Sequence, residues 1–129
     1  YNYSGQPWKT QKIIADIMKE EYDIGPGGLS GNDDSGQMSA WYVLGAIGFY
    51  PVCPALPEYQ ICGPKFKKIK IKLGNNKVLL ITAPNYSSEN IYIRSIELNG
   101  QKYEKLSLPH EMMIDGGQIN FDLSDKITD

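Results

Sequence analysis

The sequence predicts an α+β chain, with helices first and then an antiparallel β-sheet or small β-sandwich. Three observations lead there: apolar residues recur at helical spacing before about residue 51, they alternate with period two from residue 68 onward, and a proline-rich stretch separates the two regimes. The 129 residues, 41% of them hydrophobic, fit one domain, or a small domain plus a piece of another, and can bury a core.

The first helix opens after Gly5-Gln6-Pro7, because proline suits an opening helical turn, and Ile14, Ile17, Met18 and Tyr22 then share one face. Gly25-Pro26-Gly27-Gly28 ends it. A polar loop, residues 31–35, leads to a second helix from about residue 36 to 48, with Met38, Trp41, Tyr42 and Gly45 on one side. Val43, Leu44, Ala46 and Ile47 make this helix apolar nearly all round, so it calls for more neighbours than a chain of this length supplies. Residues 51–57, with three prolines, join a helical segment (1–50) to a β domain (58–129).

In the β domain, Lys68-Ile69-Lys70-Ile71-Lys72-Leu73 alternates strictly, as a strand with one wet face does. Gly74-Asn75-Asn76 turns the chain and residues 77–83 return. Residues 90–98 alternate again before Asn99-Gly100, and residues 101–106 pair next. A final hairpin is expected from residues 111–114 and 118–123 about Gly116-Gly117.

Composition narrows the function classes. Thirteen Lys+Arg against fifteen Asp+Glu leave no basic excess for nucleic acid. No apolar stretch approaches the roughly 20 residues that cross a bilayer. Cys53 and Cys62 are too few for a disulfide scaffold, no Cys/His cluster suits zinc, and their pairing is left open. The opening Tyr1-Asn2-Tyr3-Ser4-Gly5 has neither an initiating Met nor a signal-peptide layout, so the expectation is a chain that starts within a longer protein.

The densest polar constellation is Ser30-Gly31-Asn32-Asp33-Asp34-Ser35-Gly36-Gln37, at the entry to the aromatic second helix. Two adjacent carboxylates repel each other unless a cation, donors or a substrate compensates them. A helix N-terminus favours the ionised form, so an Asp here suits a general base or a cation ligand. Ordinary N-capping accounts for one of the two, not both. An EF-hand loop does not fit, because its closing Glu would fall within Trp41-Tyr42-Val43. Trp8, with Tyr1 and Tyr3, offers either an aromatic platform for a sugar ring or core packing. His110 has no assignable nucleophile, and the lysines of residues 67–72 belong to a solvated strand face that discourages edge pairing.

These residues carry a resemblance. Tyr1-Asn2-Tyr3, Gly5-Gln6-Pro7-Trp8-Lys9-Thr10-Gln11, the string from Gly28 through Asn32-Asp33-Asp34-Ser35-Gly36-Gln37-Met38-Ser39-Ala40-Trp41-Tyr42-Val43, and Gly48-Phe49-Tyr50-Pro51-Val52-Cys53-Pro54 resemble the C-terminal end of the family 92 glycoside hydrolases. The resemblance runs over essentially the whole chain. It implies that the helices close an (α/α)6 barrel and that the strands pack beside it. It also implies an exo-acting, calcium-dependent α-mannosidase that inverts, with an acid and a base about 6.5–9.5 Å apart. As sequence neighbours, Asp33 and Asp34 belong on one side of that reaction. By motif position Asp34 is the general base and Asp33 assists; Asn32, Gln37 and Trp8 are substrate-binding candidates, and Asn32 is a candidate calcium contact. The acid, a Glu, and most of the calcium and mannose pocket would lie upstream of Tyr1. The implied partners are an α-mannoside glycan and the upstream domains of the same parent, the implied location is extracytoplasmic, and the isolated chain is expected to be inactive and to self-associate. The rival reading is a β-sandwich that grips glycans through Tyr59, Tyr86, Tyr92 and Tyr103, or a purely structural accessory domain.

Overall fold

Proline at the first helical position starts α1 (Pro7–Glu20). The computed structural model describes residues 1–74 and 76–127; Asn75 of the expected turn and the last two residues of the expected β domain lie outside the described residues. After α1, Tyr22 is no longer helical but forms an isolated bridge to Leu29, closed by the Asp23 N–H on the Gly28 carbonyl at 2.8 Å. Gly25, with φ of 103°, reverses the chain there. α2 (Gln37–Ile47) lies against α1 where no side chain intervenes: a methyl added at Gly45 would sit 3.6 Å from the Met18 sulfur. Among the described residues no helix is long and apolar enough to cross a membrane.

The strands form two sheets. β1 (Phe49–Tyr50), β2 (Glu58–Ile61) and β7 (Ser107–Pro109) make the smaller, in the order β1-β2-β7. β3 (Lys68–Lys72), β4 (Val78–Thr82), β5 (Tyr92–Leu98), β6 (Gln101–Lys102) and β8 (Gly117–Ser124) make the larger, in the order β3-β4-β8-β5-β6. Alternation in β3 behaves as the sequence predicts, with Ile69 and Ile71 half-buried between exposed lysines. Both sheets share one core: Phe49, Ile61 and Leu108 of the smaller meet Leu79, Ile81, Ile96, Ile119, Phe121 and Leu123 of the larger. The Phe49 and Phe121 rings, 6.2 Å apart at centroid, are where they join.

Three features differ from the sequence-based expectation. Residues 111–114 are not a strand: α3 (His110–Ile114) follows extended Pro109, so no final hairpin forms. Glu and Met are good helix formers, and four residues are too few for periodicity to decide between the alternatives. Gly116 and Gly117, with φ of 75° and 112°, then feed β8 between β4 and β5. β8 runs antiparallel to β5 but parallel to β4, pairing Ile119 with Ile81, so the larger sheet is mixed. The expected strand over 101–106 is short, since the chain leaves the sheet after Lys102 and β7 joins β2.

The cysteines are both free. Asn2 ties the N-terminal turn to the smaller sheet, its amide donating to the Gln60 side chain and the Ile61 carbonyl at 3.1 Å each. Buried Gln11 anchors α1 to the larger sheet by accepting the Ile93 N–H at 3.1 Å.

Candidate functional site

The loop ahead of α2 treats its two aspartates differently. Asp34, Ser35 and Gly36 run through three consecutive left-handed conformations, with φ of 46°, 61° and 86°. For a non-glycine residue such backbone costs about 1–3 kcal/mol and persists only where surrounding contacts hold it. Here the contacts come from Asp33. One carboxylate oxygen accepts the Ser39 N–H and the other the Ser39 hydroxyl, both at 2.8 Å. The Asp33 carbonyl accepts the Met38 N–H, and the Asp34 carbonyl the Gln37 N–H, each at 3.3 Å. Asp33 therefore caps the first turn of α2. The Ser39 N–H and hydroxyl hold its carboxyl below the usual carboxylate range, so it is an anion at neutral pH.

Asp34 is not engaged in this way. It is exposed, and its side chain has no hydrogen-bond or ion-pair partner among the described residues. Asn32 and Gln37 are exposed beside it. Oxygen donors of this kind suit a hard cation such as calcium, yet among the described residues no three His, Cys, Asp or Glu side chains converge. The loop thus offers a partial ligand set at most.

Next to α2 stands an aromatic stack; the sequence assigns Tyr22 to a face of the first helix and Trp41 and Tyr42 to one side of the second, and predicts no contact among them or with Tyr50. Tyr22 lies 5.7 Å from Trp41, nearly parallel to it, and 4.9 Å from Tyr42; Trp41 reaches Tyr50 at 6.5 Å. The Tyr22 hydroxyl donates to the Met38 carbonyl at 3.0 Å, pinning the stack to the first turn of α2. A cleft of about 420 Å³ opens beside it, lined by Tyr22, Leu29, Ser39, Tyr42 and Val43 among others.

Trp8 is half-buried, and the Lys9 ammonium sits 5.1 Å from its ring and 5.6 Å from that of Tyr1. No hydrogen bond or ring contact among the described residues links Trp8 to the Asp34 loop. Of the four tyrosines of the rival reading, Tyr59, Tyr86 and Tyr103 pack against the core, and Tyr92 is half-buried in β5. Tyr59 shares a hydrogen bond of 2.8 Å with His110, and Tyr103 donates to the Ser107 carbonyl at 2.7 Å. The residue that sequence reasoning missed is Ser39. A serine in the first helical turn, six positions after an aspartate, is a weak signal until the left-handed run brings the two together.

Residues 1–125 match the glycosyl hydrolase family 92 catalytic domain, which sets the class as a glycoside hydrolase. The chain belongs to glycosyl hydrolase family 92. An α-mannosidase of that family from Bacteroides thetaiotaomicron, solved with mannoimidazole, is 44% identical with a TM-score of 0.93, over 98% of this chain and 17% of its own. An inverting mannosidase of the family from the same organism is 42% identical with a TM-score of 0.91, at the same coverage. A protein of Arthroderma benhamiae described as an uncharacterized secreted glycosidase is 31% identical over 126 residues, 95% of this chain and 16% of its own length. The chain thus spans about a sixth of the relatives it matches.

Proposed function

We propose that this chain supplies the general-base side of an exo-acting, inverting α-mannosidase that removes terminal α-linked mannose from glycans. The observation that carries the reading is the division of labour in the acidic doublet. Asp33 has both oxygens engaged by Ser39, while Asp34, in the next position, is exposed and its side chain has no partner among the described residues. Capping explains the first and leaves the second without a structural task. Similarity to two mannosidases of the family, one of them inverting, supports terminal mannose as the substrate class.

In this mechanism the Asp34 carboxylate takes a proton from a water that attacks the anomeric carbon, on the face opposite the departing oxygen. The departing oxygen receives its proton from a carboxylic acid, a Glu, carried by another part of the parent, since Asp33 adjoins Asp34 and a separation of about 6.5–9.5 Å is required. Asp33 holds the loop that aims the base. Asn32 and Gln37, exposed near Asp34 in the chain, would bind sugar hydroxyls, with Trp8 as an outlying aromatic contact. Calcium would be held by the Asn32 side-chain oxygen with its other ligands outside this chain, and would act as a template and Lewis acid for the sugar hydroxyls. An extracytoplasmic location fits the relative described as secreted.

The test is Asp34→Asn in the full-length parent, with mannose release measured in the presence of calcium. A general base contributes roughly 10²–10⁴-fold, so hydrolysis should fall by that factor while the fold persists. Hydrolysis at the unaltered rate removes Asp34 from the mechanism.

A further inference from the structure

The Asp33–Ser39 clamp goes further than helix capping. Capping satisfies one or two backbone N–H groups, and the Ser39 N–H bond alone meets that need. The Ser39 hydroxyl adds a second bond, at 2.8 Å, to the remaining Asp33 oxygen, which fixes the plane of the carboxylate as well as its position. Four hydrogen bonds then span residues 33–39, and the three left-handed residues lie inside that closed span. A residue next in the chain to a carboxylate held at two points, on backbone that would otherwise relax, has its direction decided by that hold. Asp34 is that residue. Its side chain has no partner among the described residues, so no contact of its own aims it. Ser39 also lines the cleft beside the Tyr22 and Tyr42 rings, whereas Asp33 and Asp34 are not among its lining residues.

We propose that Ser39 is a positioning residue for hydrolysis, acting through Asp33 to hold the Asp34 carboxylate at the attacking water; the proposal rests on the reading of Asp34 as general base. Effective catalysis needs such groups held within about 0.5 Å, and a displacement of about 1 Å costs up to about a hundredfold.

The experiment compares Ser39→Ala, Ser39→Thr, Asp33→Ala, the Ser39→Ala/Asp33→Ala double variant and Asp34→Asn in the full-length enzyme. Steady-state kinetics on an aryl α-mannoside are read alongside thermal unfolding. Ser39→Ala is expected to lower kcat about ten- to a hundredfold with KM within about twofold. Ser39→Thr, which keeps the hydroxyl, should recover most of kcat, and the double variant should be no slower than Asp33→Ala alone, because both remove one clamp. A purely structural serine would shift the melting temperature and leave kcat of the folded enzyme as it was. That result, or losses that multiply in the double variant, overturns the proposal. If Ser39→Ala does not fold, Ser39→Cys, of similar size with a poor donor, carries the same comparison. Loss of activity in Asp34→Asn with full activity in Ser39→Ala sinks the positioning role alone. Full activity in Asp34→Asn sinks the base reading, and the positioning role with it.

Discussion

Cys53 and Cys62 sit in opposite surroundings. Cys53 is exposed in the joint before β2, whereas Cys62 is 2% exposed behind β2, its thiol directed at the Gly45 carbonyl at 3.8 Å. Burial pushes the Cys62 thiol up to about 12. The thiolate is the nucleophile, so at neutral pH an alkylating reagent should modify Cys53 and spare Cys62 until the chain is unfolded. Intact-mass spectrometry should show one adduct on the native chain and two in denaturant; two adducts on the native chain would contradict the burial. The aspartate doublet shows how far residues can be read from sequence. That one Asp caps and the other does not follows from simple counting. Which one is engaged by Ser39 goes with the positive φ at Asp34 and Ser35; an aspartate tolerates that region more readily than most residues, but the sequence does not mark which of the two adopts it.

At the scale of elements, Gly48 is a tight joint between α2 and the chain before β3. It ends α2 with φ of 108°, and its N–H closes the helix on the Leu44 and Gly45 carbonyls. A methyl added there would lie 2.8 Å from the Pro64 nitrogen. Gly48→Ala should therefore destabilise by about 2–3 kcal/mol. At Gly5, where φ is 69° and nothing lies within 4 Å, the same change should cost closer to about 1 kcal/mol. Urea unfolding of the two variants checks the order; equal losses would mean that the Pro64 backbone yields freely. Helices α1 and α2 and strands β3, β4 and β5 were legible: α1, β3 and β5 repeat their period, α2 is an apolar run bounded by glycines, and β4 is a short apolar run after a turn signal. The turn to α3 and the departure of β7 to the smaller sheet were not. Their deciding contacts, such as the His110 N–H on the Pro57 carbonyl at 2.8 Å, join residues more than fifty positions apart.

The whole molecule leaves part of α2 uncovered: Val43 is 55% exposed and Tyr42 38%, with Ile24 of the preceding loop at 95%. Burying such side chains is worth about 1.5–3 kcal/mol each, so the 129-residue chain by itself should self-associate and bind a hydrophobic dye. On the proposed reading of Asp34 as the base, it should also release no mannose from an α-mannoside, because that reading puts the acid on another part of the parent. Light scattering and a mannose assay read both, and Val43→Lys should shift the chain toward monomer. A dye-free monomer, or turnover by this chain, would count against the picture. The α+β order was visible in the change of period near residue 51, whereas the single core shared by both sheets was not, since Phe49 meets Phe121 across most of the sequence.

The location of β8 in the larger sheet has a temporal side. Residues 117–124 form the middle of five strands, and they follow both neighbours, β4 and β5, in sequence. On the ribosome, β4 and β5 would therefore emerge with a vacant slot between them, each showing an unpaired edge until residues 117–124 clear the exit tunnel. Such edges attract foreign strands, so the interval between synthesis of Leu98 and arrival of Phe121 is when a nascent chain would most need a chaperone.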